Sequence, residues 1–295
     1  MLRRIVLTLM AFVGAFASTG TARALVAIPA GRTVIEVYPG PDALRNALAG
    51  ASSGDTLNIH AGTYPEHVTV STTNLTLQSA GDGEVTVDGG CSATTTVDVR
   101  AGGTTIRGLR VVGAGRGFSP IEINFWQVAT GRVLNSVVEN TCGNAEYGIN
   151  VYLSQTIRVI GNTATGFGDA GIYIGAVTST QRGPLVIQGN DSFGNVRGII
   201  VENSAGGKIR VTGNDVHDNG VTGIWITNSD GVRVDTNLVQ DNSYSGVELD
   251  VFSDHNLVRG NTASGHIYDL ANDSGNTGNC WLDNAYTTSL GDISC

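Results

Sequence analysis

Residues 245–261 read SGVELDVFSDHNLVRGN and bring Glu248, Asp250, Asp254 and His255 within eight positions. Carboxylates this close could serve as acid and base on a glycosidic bond, or hold a hard cation such as Ca2+ through oxygen ligands. Histidine beside them would add a group that titrates near neutrality. Such a cluster means something only if the local phrase is not part of a structural pattern that recurs along the chain.

It does recur in part. The tetrads GINV (148–151), GIYI (171–174), GIIV (198–201), GIWI (223–226) and GVEL (246–249) follow one another at 23 to 27 residues, and PIEI (120–123) precedes them. A second phrase closes on Asn162, Asn190, Asn214, Asn237 and Asn261, with Asn135 as an earlier member. A third mark is an asparagine ahead of the tetrad: Asn144, Asn195, Asn219 and Asn242. Apolar residues alternate with others, which is strand periodicity, and helical periodicity is absent from this stretch. A coil of this length cannot bury its apolar face alone, but stacked coils can, with equivalent strands pairing in parallel. The recurring asparagines would then form a ladder of amides, and the tetrad glycine would permit a tight bend or a positive φ.

These repeats, from about residue 95 to 272, resemble the right-handed parallel β-helix proteins of the pectin-lyase-like kind. GDTLNIHAGTYPEHVTV (54–70) and LTLQSAGDGEVTVDGG (75–90) are similar to the first coils of that family, and YDLANDSGNTGNCW (268–281) to its last. The resemblance implies an all-β solenoid with three short strands per coil. It is specific for fold and weak for activity, since such scaffolds carry lyases, hydrolases, epimerases, binding proteins and accessory proteins. In polysaccharide-active members the groove generally runs along the sheet that carries the tetrads.

On that sheet two outward columns are expected, one of Glu122, Asn150, Tyr173, Ile200, Trp225 and Glu248, the other of Asn124, Tyr152, Gly175, Glu202, Thr227 and Asp250. Catalysis falls to Glu202, Glu248, Asp250 and Tyr173, and glycan binding to Glu122, Asn150, Tyr152 and Trp225. Glu202 and Asp250 stand two coils apart, ~9–10 Å, and Glu248 and Asp250 two residues apart, ~6.6 Å. Inverting hydrolysis needs a separation of ~6.5–9.5 Å. A lyase or epimerase needs a base, an acid and a neutraliser of the uronate. Tyr152 and Tyr173 could supply the first two, and Ca2+ or Arg197 the third. The turns 112–120 and 176–184 would wall the trough. A plainer account is that Tyr, Trp and Thr are good strand formers on an open sheet. The DPHD, GHG, RIK, QDTL, DFIFG and GRPW motifs of familiar epimerases, polygalacturonases and pectin methylesterases are missing, so no named activity follows.

Other features set the frame. MLRR, an apolar run and Ala22-Arg23-Ala24 read as a secretory signal over residues 1–24, followed by a single β-helix domain over 25–295. Its N-terminal cap is expected at about 33–53, with Ala43, Leu44, Ala47 and Leu48 on one helix face, its repeats at about 54–272 and its C-terminal cap at about 273–295. The mature chain would be secreted or periplasmic and monomeric, with no membrane span. Removing three arginines of the signal leaves 14 Lys+Arg against 26 Asp+Glu, a charge of −12. Nucleic acid is therefore not an expected partner, and polysaccharide is. Four cysteines allow three disulfide connectivities. Cys280–Cys295 is preferred as a staple of the tail, leaving Cys91–Cys142 by elimination. His60, His67, His217 and His266 are expected at the surface rather than as metal ligands. Copper delivery, as in periplasmic β-helix accessory proteins of nitrous oxide reductase, gains little here, because Met1 and Met10 would both leave with the signal. The competing role is structural: a non-catalytic surface-interaction or periplasmic accessory protein. Aligned with SDGVRVDTN (229–237), the opening stretch puts Asp254 on Asp230 and His255 on Gly231, so both belong to a turn, and Glu248 and Asp250 keep their interest.

Overall fold

The computed structural model describes residues 32–177, 183–206 and 208–295. The expected signal segment and part of the turn 176–184 fall outside them. Three parallel sheets of eleven, ten and nine strands build a right-handed β-helix, each coil laying one short strand in each. The ten-stranded front sheet holds the tetrads, in strands such as Tyr147–Tyr152, Ala170–Gly175, Arg197–Glu202 and Thr222–Thr227. The eleven-stranded side sheet follows it in each coil, then the nine-stranded back sheet.

Stacking in register makes the core a set of columns. Ile123, Ile149, Ile172, Ile199 and Ile224 lie one above the next and are fully buried. β-Branched side chains suit this because their restricted rotamers repeat from coil to coil on a pleated surface. The tetrad glycines answer to space rather than to a positive φ. A Cβ at Gly148 would lie 2.5 Å from the Gly171 carbonyl oxygen and 2.6 Å from the Phe167 ring.

Turns between the side and back sheets carry an amide ladder. The Nδ2 groups of Asn162, Asn190, Asn214 and Asn237 each donate to Oδ1 of the next asparagine at 2.8–3.0 Å, and each Oδ1 also accepts a backbone N–H. Asn261 continues it to Asn284. Asn135 is not in the ladder. It is exposed at φ 48°, and Ser136 occupies the rung, its N–H donating to Asn162 Oδ1 at 3.0 Å. The apolar pattern of this coil runs one residue later than the asparagine spacing suggests. A second ladder joins Asn195, Asn219 and Asn242 and ends on His266. His266 is thus buried, contrary to the expected surface position, with Nδ1 2.9 Å from Asp269. Its ring takes the place of the next amide in the ladder, with Nε2 3.1 Å from Asn242 Nδ2.

The helix Ala43–Gly50 lies at the N-terminal end with Leu44 buried. Glu66, the acid of GTYPE, accepts the N–H groups of Leu44 and Arg45 at 2.8 and 3.0 Å. That motif therefore serves the helix start, where backbone donors lack partners. Disulfides join Cys91 to Cys142 and Cys280 to Cys295.

Asn214→Ala or Asn237→Ala strands a buried backbone N–H and a carbonyl in the ladder. Each should cost roughly 1–3 kcal/mol, read as a lowered melting temperature; an unchanged melt in both would contradict the ladder's contribution.

Candidate functional site

The outward face of the front sheet has a register that differs from the expected columns in one coil. Asn124 pairs with Asn150, and Trp126 with Tyr152. The middle column is therefore Asn124, Asn150, Tyr173, Ile200, Trp225 and Glu248, and its neighbour runs through Trp126, Tyr152, Gly175, Glu202, Thr227 and Asp250.

Glu122 belongs to neither column. It takes the place that Gly148 holds in the next coil, and its side chain is fully buried. Its carboxyl accepts the Ala114 N–H at 3.0 Å and lies 2.7 Å from Thr96 Oγ1. Thr96 Oγ1 has one hydrogen but faces two acceptors, the other being Val112 O at 3.1 Å. A protonated Glu122 supplies the missing hydrogen. Burial pushes its pKa up to about 7, against the opposing bonds from Thr96 and Ala114. PIEI and GINV share an apolar spacing but are two residues out of register; the Ile-Asn step common to 123–124 and 149–150 was the correct guide.

Two constellations remain on the face. In the first, Tyr173 Oη donates to Glu202 Oε2 at 2.7 Å, and the Tyr173 ring packs 4.6 Å from that of Tyr147. Gly175 makes room for it, since a Cβ there would lie 2.4 Å from the Tyr173 ring and 2.8 Å from Tyr152. Tyr147 Oη donates to Asp169 at 3.0 Å, and Asp169 also holds Arg197 at 2.7 Å. The Arg197 guanidinium lies 4.4 Å over the Trp225 ring. Arg197 is thus already neutralised. Burial, and then the bonded carboxylates, hold the hydroxyls of Tyr173 and Tyr147 far above the ordinary tyrosine range, so both keep their protons. Trp126 and Tyr152 form a tilted ring pair at 4.9 Å beside them. Asn150 is buried and donates to Asn124 at 2.7 Å, while its Oδ1 has no donor among the described residues.

The second constellation gathers Glu248, Asp250 and Asp273, whose carboxylate oxygens can lie within 4.8 Å of one another. Thr222 donates to Glu248 at 3.0 Å, and Thr227 to Asp250 at 3.2 Å. Burial, a hydrogen bond to Asp250 and the charges of Asp250 and Glu248 raise the Asp273 pKa. Asp273 lies outside the regular tetrads, in the last coil, and position one coil beyond Asp250 was its only sequence signal. Glu202 and Asp250 are kept apart by Thr227, each committed to a different constellation.

Among the described residues this carboxylate group is the one cluster of three or more potential metal ligands. All four cysteines are in disulfides, and Met1 and Met10 lie outside the described part. His60 sits between Glu36 and Asp82, and hydrogen bonding to Asp82 raises its pKa. His217 sits between Asp191 and Asp218. His67 is exposed, and His255 occupies a left-handed turn position (φ 55°), as does Gly231 (φ 67°) one coil earlier. Oxygen-only ligands suit Ca2+; the sulfur and imidazole groups that favour copper do not come together here.

A family model described as NosD, periplasmic copper-binding protein, matches residues 91–290. No curated protein matches the chain in sequence. Among solved structures the chain is similar to the A-module of a mannuronan C-5 epimerase from Azotobacter vinelandii, at 19% identity and TM-score 0.50, covering 83% of this chain and 89% of that one. It is similar to an alginate lyase from Paenibacillus sp., at 15% identity and TM-score 0.56, covering 89% and 99%. It is also similar to tailspike protein 2 of Escherichia coli O157:H7 bacteriophage CAB120, at 11% identity and TM-score 0.57, covering 83% of this chain and 36% of that one. At these identities the likeness is one of fold.

The buried Glu122 generates a pH dependence. Its folded pKa is raised from 4.5 to about 7, so its proton stabilises the fold below 4.5 and that contribution is lost as pH rises through about 7. At ~1.4 kcal/mol per unit the loss is at most roughly 3 kcal/mol. Glu122→Gln should flatten the fall in melting temperature over this window; an identical pH profile for the variant would refute it.

Proposed function

The chain belongs to the NosD family of periplasmic copper-binding proteins, and from that premise we propose that it works outside the cytoplasm while its own front face binds a polysaccharide rather than copper. The family's periplasmic setting and the two disulfides support the location. No helix among the described residues is long and apolar enough to cross a membrane. The described residues bring no sulfur and imidazole groups together in one cluster, which leaves no site through which to derive copper chemistry.

What carries the glycan reading is the ring face around Tyr173. Trp126, Tyr152, Tyr147 and Trp225 present partly exposed rings on neighbouring coils. Sugars offer apolar C–H faces to stack on such rings. The surrounding coils supply Glu202, Glu248 and Asp250 without a free arginine, so a neutral glycan fits directly, and a polyuronate would need a bridging cation. Glu248, Asp250 and Asp273 would hold that Ca2+. If the bound glycan is processed, Tyr173 donates the proton and Glu202 accepts one, since the hydroxyl stays protonated and the two are already bonded. The structural-scaffold role is the competing outcome.

Purified full chain should bind a neutral glycan without Ca2+ and pectate or alginate on this face only with it. Trp126→Ala and Tyr152→Ala should each weaken binding at least tenfold, and Glu202→Gln or Tyr173→Phe should abolish any release of reducing ends or unsaturated sugar. Full affinity in both ring variants would overturn the assignment. Ca2+ should also raise the melting temperature more in alkaline than in acid solution, because the raised Asp273 pKa favours a proton that competes with the cation as pH falls; an equal shift in both would remove the cation from the account.

A further inference from the structure

The side sheet presents the opposite charge to the front. Its outward register places Arg132 on Arg158, then Val186, then Arg210 on Arg233. Four steps of ~4.8 Å make this stripe about 19 Å long. Arg107 stands in the adjoining column at one end and Arg259 at the other, and Asp235 separates Arg233 from Arg259. On other faces Arg100, Arg110 and Arg197 each meet a carboxylate at 2.6–2.8 Å. By contrast Arg107, Arg132, Arg158 and Arg210 are exposed, and no carboxylate pairs with them among the described residues.

The fold does not require arginine there. The same column holds Thr105, Val186 and Leu257 in other coils. Like charges placed directly opposite on a sheet are a cost to stability. That Arg132, Arg158 and Arg210 recur along one line with no carboxylate paired to them, in a chain with an excess of acids, calls for an external anion.

We propose that this arginine stripe is a binding face for a linear acidic polysaccharide bearing one carboxylate per sugar, laid along the solenoid axis. The guanidinium fork matches carboxylate geometry and engages it through two parallel hydrogen bonds. The coil spacing is close to the advance of one sugar in an extended 1,4-linked chain, so successive carboxylates can meet successive coils. Beside Arg132 and Arg158 the flanking columns carry neutral residues, Thr130 and Thr156 on one side, Leu134 and Ile160 on the other, and charge enters the second column only at Arg107, Asp235 and Arg259. A one-residue line of charge complements a polymer strand, whereas a lipid surface calls for a broad basic plane. The acidic remainder of the surface repels a polyanion and so confines it to the stripe. This site is independent of the front face and of Ca2+.

The test uses the full chain with Ca2+ chelated, and polygalacturonate, polymannuronate, a neutral galactan and anionic phospholipid vesicles as probes. Both polyuronates should bind, the galactan should not bind in a way these arginines affect, and affinity should fall as ionic strength passes ~0.15 M. Arg132→Gln/Arg158→Gln/Arg210→Gln should weaken polyuronate binding at least tenfold, with the melting temperature kept. Trp126→Ala and Tyr152→Ala should leave it unchanged, which separates failure here from failure at the front face. If the triple variant does not fold, Arg158→Gln and Arg210→Gln singly should each weaken binding severalfold. Undiminished binding in these variants, no polyuronate binding at low salt, or capture by vesicles in preference to polyuronate would each overturn the proposal.

Discussion

Coil-on-coil register is the constraint from which the rest of this molecule follows. Parallel backbone pairing holds each strand ~4.8 Å above its counterpart, so every position becomes a column and every column must be compatible with itself. Apolar columns fill the interior. Polar residues enter it only where they can satisfy one another along the stack, as Asn162 to Asn284 do through Nδ2 and Oδ1. Glycine columns exist where backbone meets backbone, as at Gly148 under Gly171.

The same rule shapes the surface. A residue type that recurs outward becomes a stripe, so a solenoid turns modest sequence bias into extended one-dimensional features. On the front sheet the stripes are rings, amides and acids. On the side sheet they are arginines. Two faces of opposite electrostatic character let the protein present different chemistry in different directions, although the chain carries a net negative charge. The front face also shows how far its groups are already engaged. Tyr173 is tied to Glu202 and Arg197 to Asp169, so Arg197 is occupied and does not serve as a lyase-type neutraliser, and what stays available is ring surface and the acid trio.

Family and residues pull apart over copper. The matched family is described by that metal, yet among the described residues the one cluster of potential metal ligands is of carboxylates, whereas copper favours sulfur or imidazole. A β-helix keeps its architecture through columns and its ligand chemistry through a few outward or loop positions, so the second can change while the first is retained.

The repeat was legible in the sequence because the physics of stacking writes a period into it. Tetrads, asparagines and alternation between inward and outward positions were enough for the solenoid, the direction of its strands and the turn character of Asp254 and His255. Where one coil departed from the pattern, periodicity misled: Glu122 was set outward and Asn135 in the ladder, because apolar letters can be matched at more than one offset and only the backbone pairing selects one. Asp273 was missed for the related reason that the last coil drops the tetrad while keeping the column. Side-chain commitments were beyond the sequence altogether. Whether Tyr173 bonds Glu202, whether Arg197 is neutralised and whether Glu122 keeps its proton depend on distances of a few ångströms and on burial, which arise only once coils far apart in the chain are laid one upon another. Sequence alone thus determined the repeat and the residues that could face outward; tertiary register decided which of them meet, because it is stacking, and not spacing along the chain, that sets their separation.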